Sequence, residues 1–463
     1  MISLNKKTIK TVASAMVVAF GLSIVPAPAF AVSTNVVAET EGKTTLTLSQ
    51  IQELAVIYND TADSLELSIK QLENQEMMTR NQKSSAQSQL NNLYYTEVGD
   101  AGSTAAMSAA VTSLKGQITD KKTELDAAVT AGNTSDAQGL QAEITELTAN
   151  LLSYENALAS QQSAAKQLDS AVDQAISGIN QLDDALDQMA EGKEDLQDAL
   201  KDLEHIMRYT SAQMALSIVQ LEESVGLIEK QVALLDKSIA VYELQEKLGM
   251  ATTINVDTQR TSKVEAENQL RDYKEQLDNL KRALNQLIGR PVNNELHVVP
   301  MKLSSVIEPA PKFTDELINE FVEVNPEMIT LLEEREDLKD SVKSGMGSDE
   351  KQDIEYKIQA KNMELKKQRQ AAEDDLKAMI ATMTKNAVNY RVSKEKLATE
   401  QKNFAIAQKK YELGMISQLQ LMQNELTLAQ AELTNLSNGY QHYFDWEQFK
   451  LARQGIALTG TGK

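Results

Sequence analysis

The chain has 463 residues, a net charge of −21 at pH 7, 4% aromatic residues, 19 glycines and no cysteine. This acidity excludes binding of nucleic acid through its phosphates, and the lack of cysteine excludes disulfides and a cysteine-linked lipid anchor. Few aromatic residues and few glycines argue against a large β domain and favour helices.

The first 31 residues have the pattern of a secretory signal. Three lysines precede an apolar run over 12–25, and a small-residue pattern ends at Ala31. We expect cleavage after Ala31 rather than an uncleaved membrane anchor, because the apolar run is short for a span. No later stretch reaches about eighteen apolar residues, so no transmembrane helix is expected. A flexible segment over 32–45 follows the signal.

Proline separates the rest of the chain into two halves. Five of the seven prolines lie between 291 and 326, and the other two lie in the signal. Proline in a helix interior costs about 3 kcal/mol, so the long blocks without proline read as helical. We predict a first helical repeat over 46–290, a proline-rich linker over 291–312, a second helical repeat over 313–457 and a flexible tail over 458–463.

Heptad patterns predict coiled coils in both halves. Apolar residues from Met214 to Tyr242 alternate in steps of four and three, and two similar seams end near Leu287 and Tyr443. This mean period of 3.5 residues is typical of a left-handed coiled coil. A more polar helix is predicted over 351–413. The predicted fold class is therefore all-α, with long antiparallel coiled-coil helical hairpins in two tandem repeats.

Little or no β structure is expected, and 296–299 is the one short strand that the linker suggests. Glycines predict where helices end. Four short breaks between helices, at 131–136, 247–250, 345–349 and 413–415, each contain at least one glycine.

The two halves contain matching residues in the same order. Thr47 and Thr314 each open a helix, Asn59 and Asn325 follow, and a Leu-Gly-Met triplet recurs at 248–250 and 413–415. The threonines are 267 residues apart and the triplet glycines are 165 apart, so the first half carries 102 extra residues. We assign them to a helical insertion at about 100–205.

This duplicated plan resembles the TolC-like outer-membrane efflux protein family. The tracts that carry the resemblance are 410–417 with the helix to Gly455, and 248–291. In that family each half is a helix, a β-hairpin, a very long helix, a tight turn and a returning helix. Three chains form a tube, and the tight turns form a tip where a helical adaptor docks and the pore narrows.

The resemblance implies a partner-docking tip and a constriction. The docking residues would be Gly249, Met250, Ile254, Val256, Gly414, Met415 and Leu419. The alternative is that both turns are ordinary helix–helix turns with buried Met and Leu side chains. Gln420 and Gln423 stand at the constriction, where the family often carries acidic residues, so a charged gate is not predicted.

The chain departs from the family where the family inserts its membrane strands. In the second half the corresponding slot is 344–350, which is too short for a hairpin. In the first half, 92–98 is the nearest strand candidate, and it stands alone. We therefore expect a divergent member that lacks the barrel strands.

No catalytic, cofactor-binding or metal-binding constellation is found, so we do not expect an enzyme. The three histidines lie far apart in sequence, without metal-ligand spacing, and no phosphate-binding loop or nucleophile motif occurs. Clustered acids are interleaved with bases, which favours solvated helix faces. The aromatic residues over 440–449 are expected to pack in the core against the linker.

The resemblance implies an extracytoplasmic component of an efflux system, a helical duct that docks a pump or adaptor and passes substrates passively. It implies a homotrimer in the cell envelope, in the outer membrane by resemblance and otherwise in the periplasm or cell wall. Its partner would be a periplasmic adaptor or an inner-membrane pump subunit, and membrane association would come through assembly. The alternative is a structural coiled-coil scaffold of the envelope without a pore.

Overall fold

The computed structural model describes residues 44–303, 307–342 and 346–456. The predicted signal, nearly all of the flexible segment, the tail and part of the turn at 345–349 lie outside these ranges. Within them the chain forms eight helices and two very short strands, which confirms the all-α prediction. In chain order these are β1 (Thr45–Leu46), α1 (Leu48–Ile57), α2 (Asp60–Thr130), α3 (Thr134–Lys247), α4 (Thr253–Leu287), β2 (His297–Val298), α5 (Asp315–Glu323), α6 (Pro326–Asp340), α7 (Ser348–Glu412) and α8 (Gln418–Ala452).

The chain divides into two compact units. The first contains the described residues up to Ser64 and those from Ala199 onward, and the second is Leu65–Asp198. Helices α2 and α3 therefore contribute residues to both units.

Side-chain caps fix matching helix starts in the first unit. Thr47 and Thr314 each accept a hydrogen bond at 3.3 Å from the backbone N–H three residues later. Asn59 accepts from the N–H groups two and three residues later, at 2.9 and 3.4 Å, and Asn325 does the same at 3.1 Å to both. Each cap accepts hydrogen bonds from backbone N–H groups that have no partner within the first turn of a helix. The matched residues therefore cap helices in both halves.

The two strands pair in parallel and join the start of the first half to the linker. Thr45 lies opposite His297, and Leu46 lies opposite Val298. The linker strand agrees with the short strand suggested at 296–299. Its partner was not predicted, because two residues show no alternation that could mark a strand.

One hydrophobic core gathers α1, α3, α4, α8 and both strands. Leu46, Ile51, Ile218, Leu284 and Tyr440 are among its buried side chains. The linker residues 301 and 303 pack against it, as expected for the aromatic segment of α8.

Asn285 lies fully buried beside this core. Its side-chain amide donates to the backbone carbonyls of Val292 at 3.3 Å and Asn294 at 2.7 Å. These bonds fasten the turn that follows α4 onto the helix.

A second core joins α5, α6, α7 and the end of α8. It is built from Phe321, Leu376, Met383 and Phe449, with Trp446 packed at its side. The aromatic segment of α8 thus contributes to both cores, and no pore or ligand role is needed to explain it.

The second unit is an antiparallel hairpin of α2 and α3. Glu76 pairs with Lys193 at 3.1 Å, and Lys115 pairs with Glu155 at 2.8 Å. The helices reverse at Gly132, whose φ is +75°. The stretch 92–98, the nearest strand candidate of the sequence, is helical here, so it supplies no strand. Of the helices described, none has the length and apolarity to cross a membrane.

Candidate functional site

The first predicted turn joins α3 to α4 in the first unit. The N–H of Gly249 donates to the carbonyl of Glu246 at 2.9 Å, and the N–H of Met250 donates to that of Gln245 at 2.7 Å. Gly249 has φ +72°, a left-handed conformation that costs glycine nothing. These two bonds end the helix in the Schellman pattern.

The second turn joins α7 to α8 and repeats this geometry. The N–H of Gly414 donates to the carbonyl of Tyr411 at 2.9 Å, and the N–H of Met415 donates to that of Lys410 at 2.8 Å. Gly414 has φ +73°. The hydrogen bonds span the same numbers of residues as in the first turn, so the recurring Leu-Gly-Met triplet encodes the same structure twice.

Both turns expose large apolar side chains. Met250 and Ile254 are each 75% exposed, and Met415 is 67% exposed. Leu248 and Leu413, which were not among the predicted docking residues, are 65% and 75% exposed. Their place in the repeated triplet was the signal that could have included them. Apolar surface of this kind favours contact with a partner.

The four other predicted site residues named below have different surroundings. Val256 is 1% exposed, so its side chain packs between helices and cannot form part of a docking surface. Leu419 is partly buried. Its neighbour Gln420 is exposed, and its side-chain oxygen accepts from the N–H of Ser417 at 3.0 Å, which caps α8. Gln423 is exposed on the same helix. Neither glutamine brings charge to the place of the predicted constriction.

A ladder of ion pairs joins α3 to α4 behind the first turn. The four pairs have distances of 2.7 to 2.8 Å and their acids recur every seven residues: Glu222–Lys281, Glu229–Lys274, Asp236–Lys263 and Glu243–Arg260. These residues flank the apolar seam of the heptad, and the seam alone did not predict them. Each partly exposed pair contributes about 0–1 kcal/mol to the free energy of unfolding. The main effect of the ladder is therefore to set the register of α3 against α4.

Helices α7 and α8, which share the second core, also meet at a partly buried polar cluster far from their turn. Asn386 donates to Asp445 at 2.8 Å, and the rings of Tyr390 and His442 lie 5.8 Å apart. Burial raises the pKa of Tyr390. Burial also lowers the pKa of His442, against the opposing effect of Asp445 and Glu308. Neutral forms of both rings are therefore favoured in this packing.

The two hairpins contact each other through α3 and α8. Lys230 and Glu425 form an ion pair at 3.3 Å, with both side chains about half exposed. This pair brings the two turn-bearing hairpins together within one unit. No group of His, Cys, Asp or Glu residues suited to a metal ion occurs in the part of the chain that the structure describes.

Comparison with known proteins finds similarity among solved structures alone. No family model matches the sequence, and no curated protein matches it. The Campylobacter jejuni CmeC outer membrane channel is 10% identical, with a TM-score of 0.39 over 59% of this chain and 68% of that one. CusC, described as forming a transmembrane channel, is 16% identical, with a TM-score of 0.46 over 64% of this chain and 90% of that one. The Vibrio cholerae outer membrane protein VceC is 12% identical, with a TM-score of 0.37 over 58% and 76%.

At such identities and TM-scores, the function of the chain has to be argued from its own residues.

Proposed function

We propose that this protein is the duct of an export system, a TolC-like homotrimer of the cell envelope that docks a pump or adaptor and passes substrates passively. The observation that carries the proposal is the duplicated turn. Two hairpins of the first unit end in the same Schellman geometry, and each presents exposed Met and Leu side chains at its end.

These ends suit a helical partner. Met250 and Met415 are flexible apolar side chains that adapt to irregular surfaces, and burying them stabilises a complex by about 25 cal/mol for each Å² of apolar area. The glycines keep both turns short and leave free space beside them. Among the described residues, nothing lies within 4 Å of a Cβ built at Gly249 or Gly414. A partner coiled coil could therefore reach both turns without displacing side chains.

In this proposal the chain does no chemistry on its cargo. It offers a path, and the docked pump supplies the energy. The proposed location is the outer membrane, or otherwise the periplasm or cell wall, reached through the signal predicted over 1–31. Association with a membrane would come through assembly of the copies.

A double variant tests the docking turns. Met250→Glu with Met415→Glu places a charge on each exposed tip, and we expect accumulation of an exported dye to rise to the level of a deletion strain. Met363→Glu is the matched control, because Met363 is 70% exposed but lies within α7. Normal export in the double variant, at normal protein level, would overturn the docking role.

The mass of the purified mature protein tests the assembly. Light scattering should give three times the chain mass. A protein that stays monomeric at all concentrations would contradict the tube.

A structural coiled-coil scaffold remains the second candidate. The observation that favours it is the helical course of α2 through 92–98, where a family member would place a strand. For a scaffold, the tip variants would leave export unchanged and would alter envelope integrity, measured by sensitivity to detergent.

A further inference from the structure

The first glycine turn projects beyond the start of α8. Two contacts set the register of α3 against α8: the rings of Tyr209 and Phe444, with centroids 5.6 Å apart, and the ion pair of Lys230 with Glu425 at 3.3 Å. The residue numbers add to 653 in the first contact and 655 in the second, so the two helices run antiparallel in one register. The same register places Gln418, where α8 begins, beside residue 236 of α3.

The last part of α3 therefore extends past its neighbour. Helix α3 continues to Lys247, and 11 residues from 237 onward rise about 16 Å at 1.5 Å each. We call residues 237–248 the projecting segment, since they carry the first turn past the end of α8.

The side of α3 that contacts α8 continues into the projecting segment. Steps of three and four residues lead along it, through Leu227, Lys230, Leu234, Lys237, Val241, Leu244 and Leu248. Leu227 and Leu234 are partly buried. Val241 is 40% exposed, Leu244 59% and Leu248 65%. The seam is thus covered in its first part, and in its last part none of the described residues covers it.

The charges on this side follow the same repeat. Lys237 lies one heptad beyond Lys230, and it is exposed. On α8 the position one heptad before Glu425 is Gln418, which carries no charge. None of the ion pairs found among the described residues includes Lys237. An acidic group from outside the chain could pair with it as Glu425 pairs with Lys230.

We propose that the projecting segment binds an amphipathic helix of the docking partner, which continues the path of α8 beyond the second turn. A helix is the occupant because the exposed seam repeats the heptad steps that already hold α8. Its apolar side covers Val241, Leu244 and Leu248, and an acidic side chain pairs with Lys237. Met415, which is 67% exposed at the second turn, meets the end of this helix.

The inference rests on the proposed function and deepens it. It names the chemistry of the partner and the side of the first hairpin that the partner uses. A second copy of the chain fits this side less well, because two such faces in register would bring two Lys237 side chains together.

Photo-crosslinking in cells tests the contact. The reactive residue p-benzoylphenylalanine replaces Val241 or Leu244 in the full-length protein, and it replaces Thr261 in the matched control. Thr261 is exposed on α4. It follows Arg260, which pairs with Glu243, so it lies level with the projecting segment but on the other helix. Adducts formed on irradiation are separated on a denaturing gel, and the linked peptides are identified by mass spectrometry.

Both seam positions should link to one protein, through a peptide with heptad apolar residues and at least one acid, and Thr261 should not. Lys237→Glu should lower the yield of the Leu244 adduct about fivefold, because an exposed ion pair contributes up to about 1 kcal/mol. Lys396→Glu, which changes an exposed base within α7, should leave the yield unchanged.

Equal adducts at all three positions, adducts to a second copy alone, or no adduct at normal protein level would each overturn the contact. If the tip variants still abolish export in that case, the duct stands without it. Deleting the linked protein should raise dye accumulation to the level of a strain without the duct. Unchanged export after that deletion, with the adduct pattern as expected, would uphold the helix contact and refute the duct.

Discussion

Replacing Gly455 with alanine should destabilise the first unit more than replacing Gly414 with alanine. The two glycines have φ of +78° and +73°, so alanine at either position costs about 1–2 kcal/mol of left-handed strain. Their surroundings differ. A Cβ at Gly455 would lie 2.3 Å from the carbonyl oxygen of Val324, whereas no described atom lies within 4 Å of a Cβ at Gly414.

The collision sets the difference between the two variants. Overpacking of this kind costs about 1–3 kcal/mol, because backbone must shift to relieve it. The free energy of unfolding should therefore fall by about 1–2 kcal/mol for Gly414→Ala and by about 2–5 kcal/mol for Gly455→Ala.

Urea unfolding followed by far-ultraviolet circular dichroism measures both values. The two glycines lie in the same unit, so one transition reports on both variants. Equal midpoint shifts would refute the reasoning, because they would show that Gly455 is held by its backbone conformation alone.

Three further changes have expected results. Asn285→Ala should lower the free energy of unfolding by about 1–3 kcal/mol in urea titrations, since the two hydrogen bonds from its buried side chain to the carbonyls of Val292 and Asn294 are lost. Burial raises the pKa of Tyr440 and of Tyr443 to about 12, so two tyrosines should ionise late in an alkaline absorbance titration. Stability should then fall from about pH 10 to pH 12, because the unfolded chain loses those protons first. Burial lowers the pKa of His442, so the unfolded chain binds the proton first as the pH decreases. The free energy of unfolding should therefore decrease at pH values below about 6.5. His442→Phe should reduce that decrease between pH 7 and pH 5.

Local signals predicted much of the fold. Glycine conformation and capping chemistry act over a few residues, which is why Gly132, Gly249 and Gly414 could be assigned to helix ends. The matched caps at Thr47 and Thr314 were predictable for the same reason.

Long-range features were harder to predict. The pairing of Thr45 with His297 joins residues far apart in the chain, and a two-residue strand carries no pattern. Burial of Val256 was also missed, because its apolar side chain was assigned to the exposed turn rather than to the packing of α4. The ion-pair ladder does carry a local signal, because its acids recur every seven residues beside the apolar seam.

Electron cryomicroscopy of the purified mature protein tests the central claim most directly. The account predicts a threefold assembly of helical hairpins around an open lumen, with both glycine turns at one end. A monomer, or an assembly whose hairpins pack together without a lumen, would contradict it.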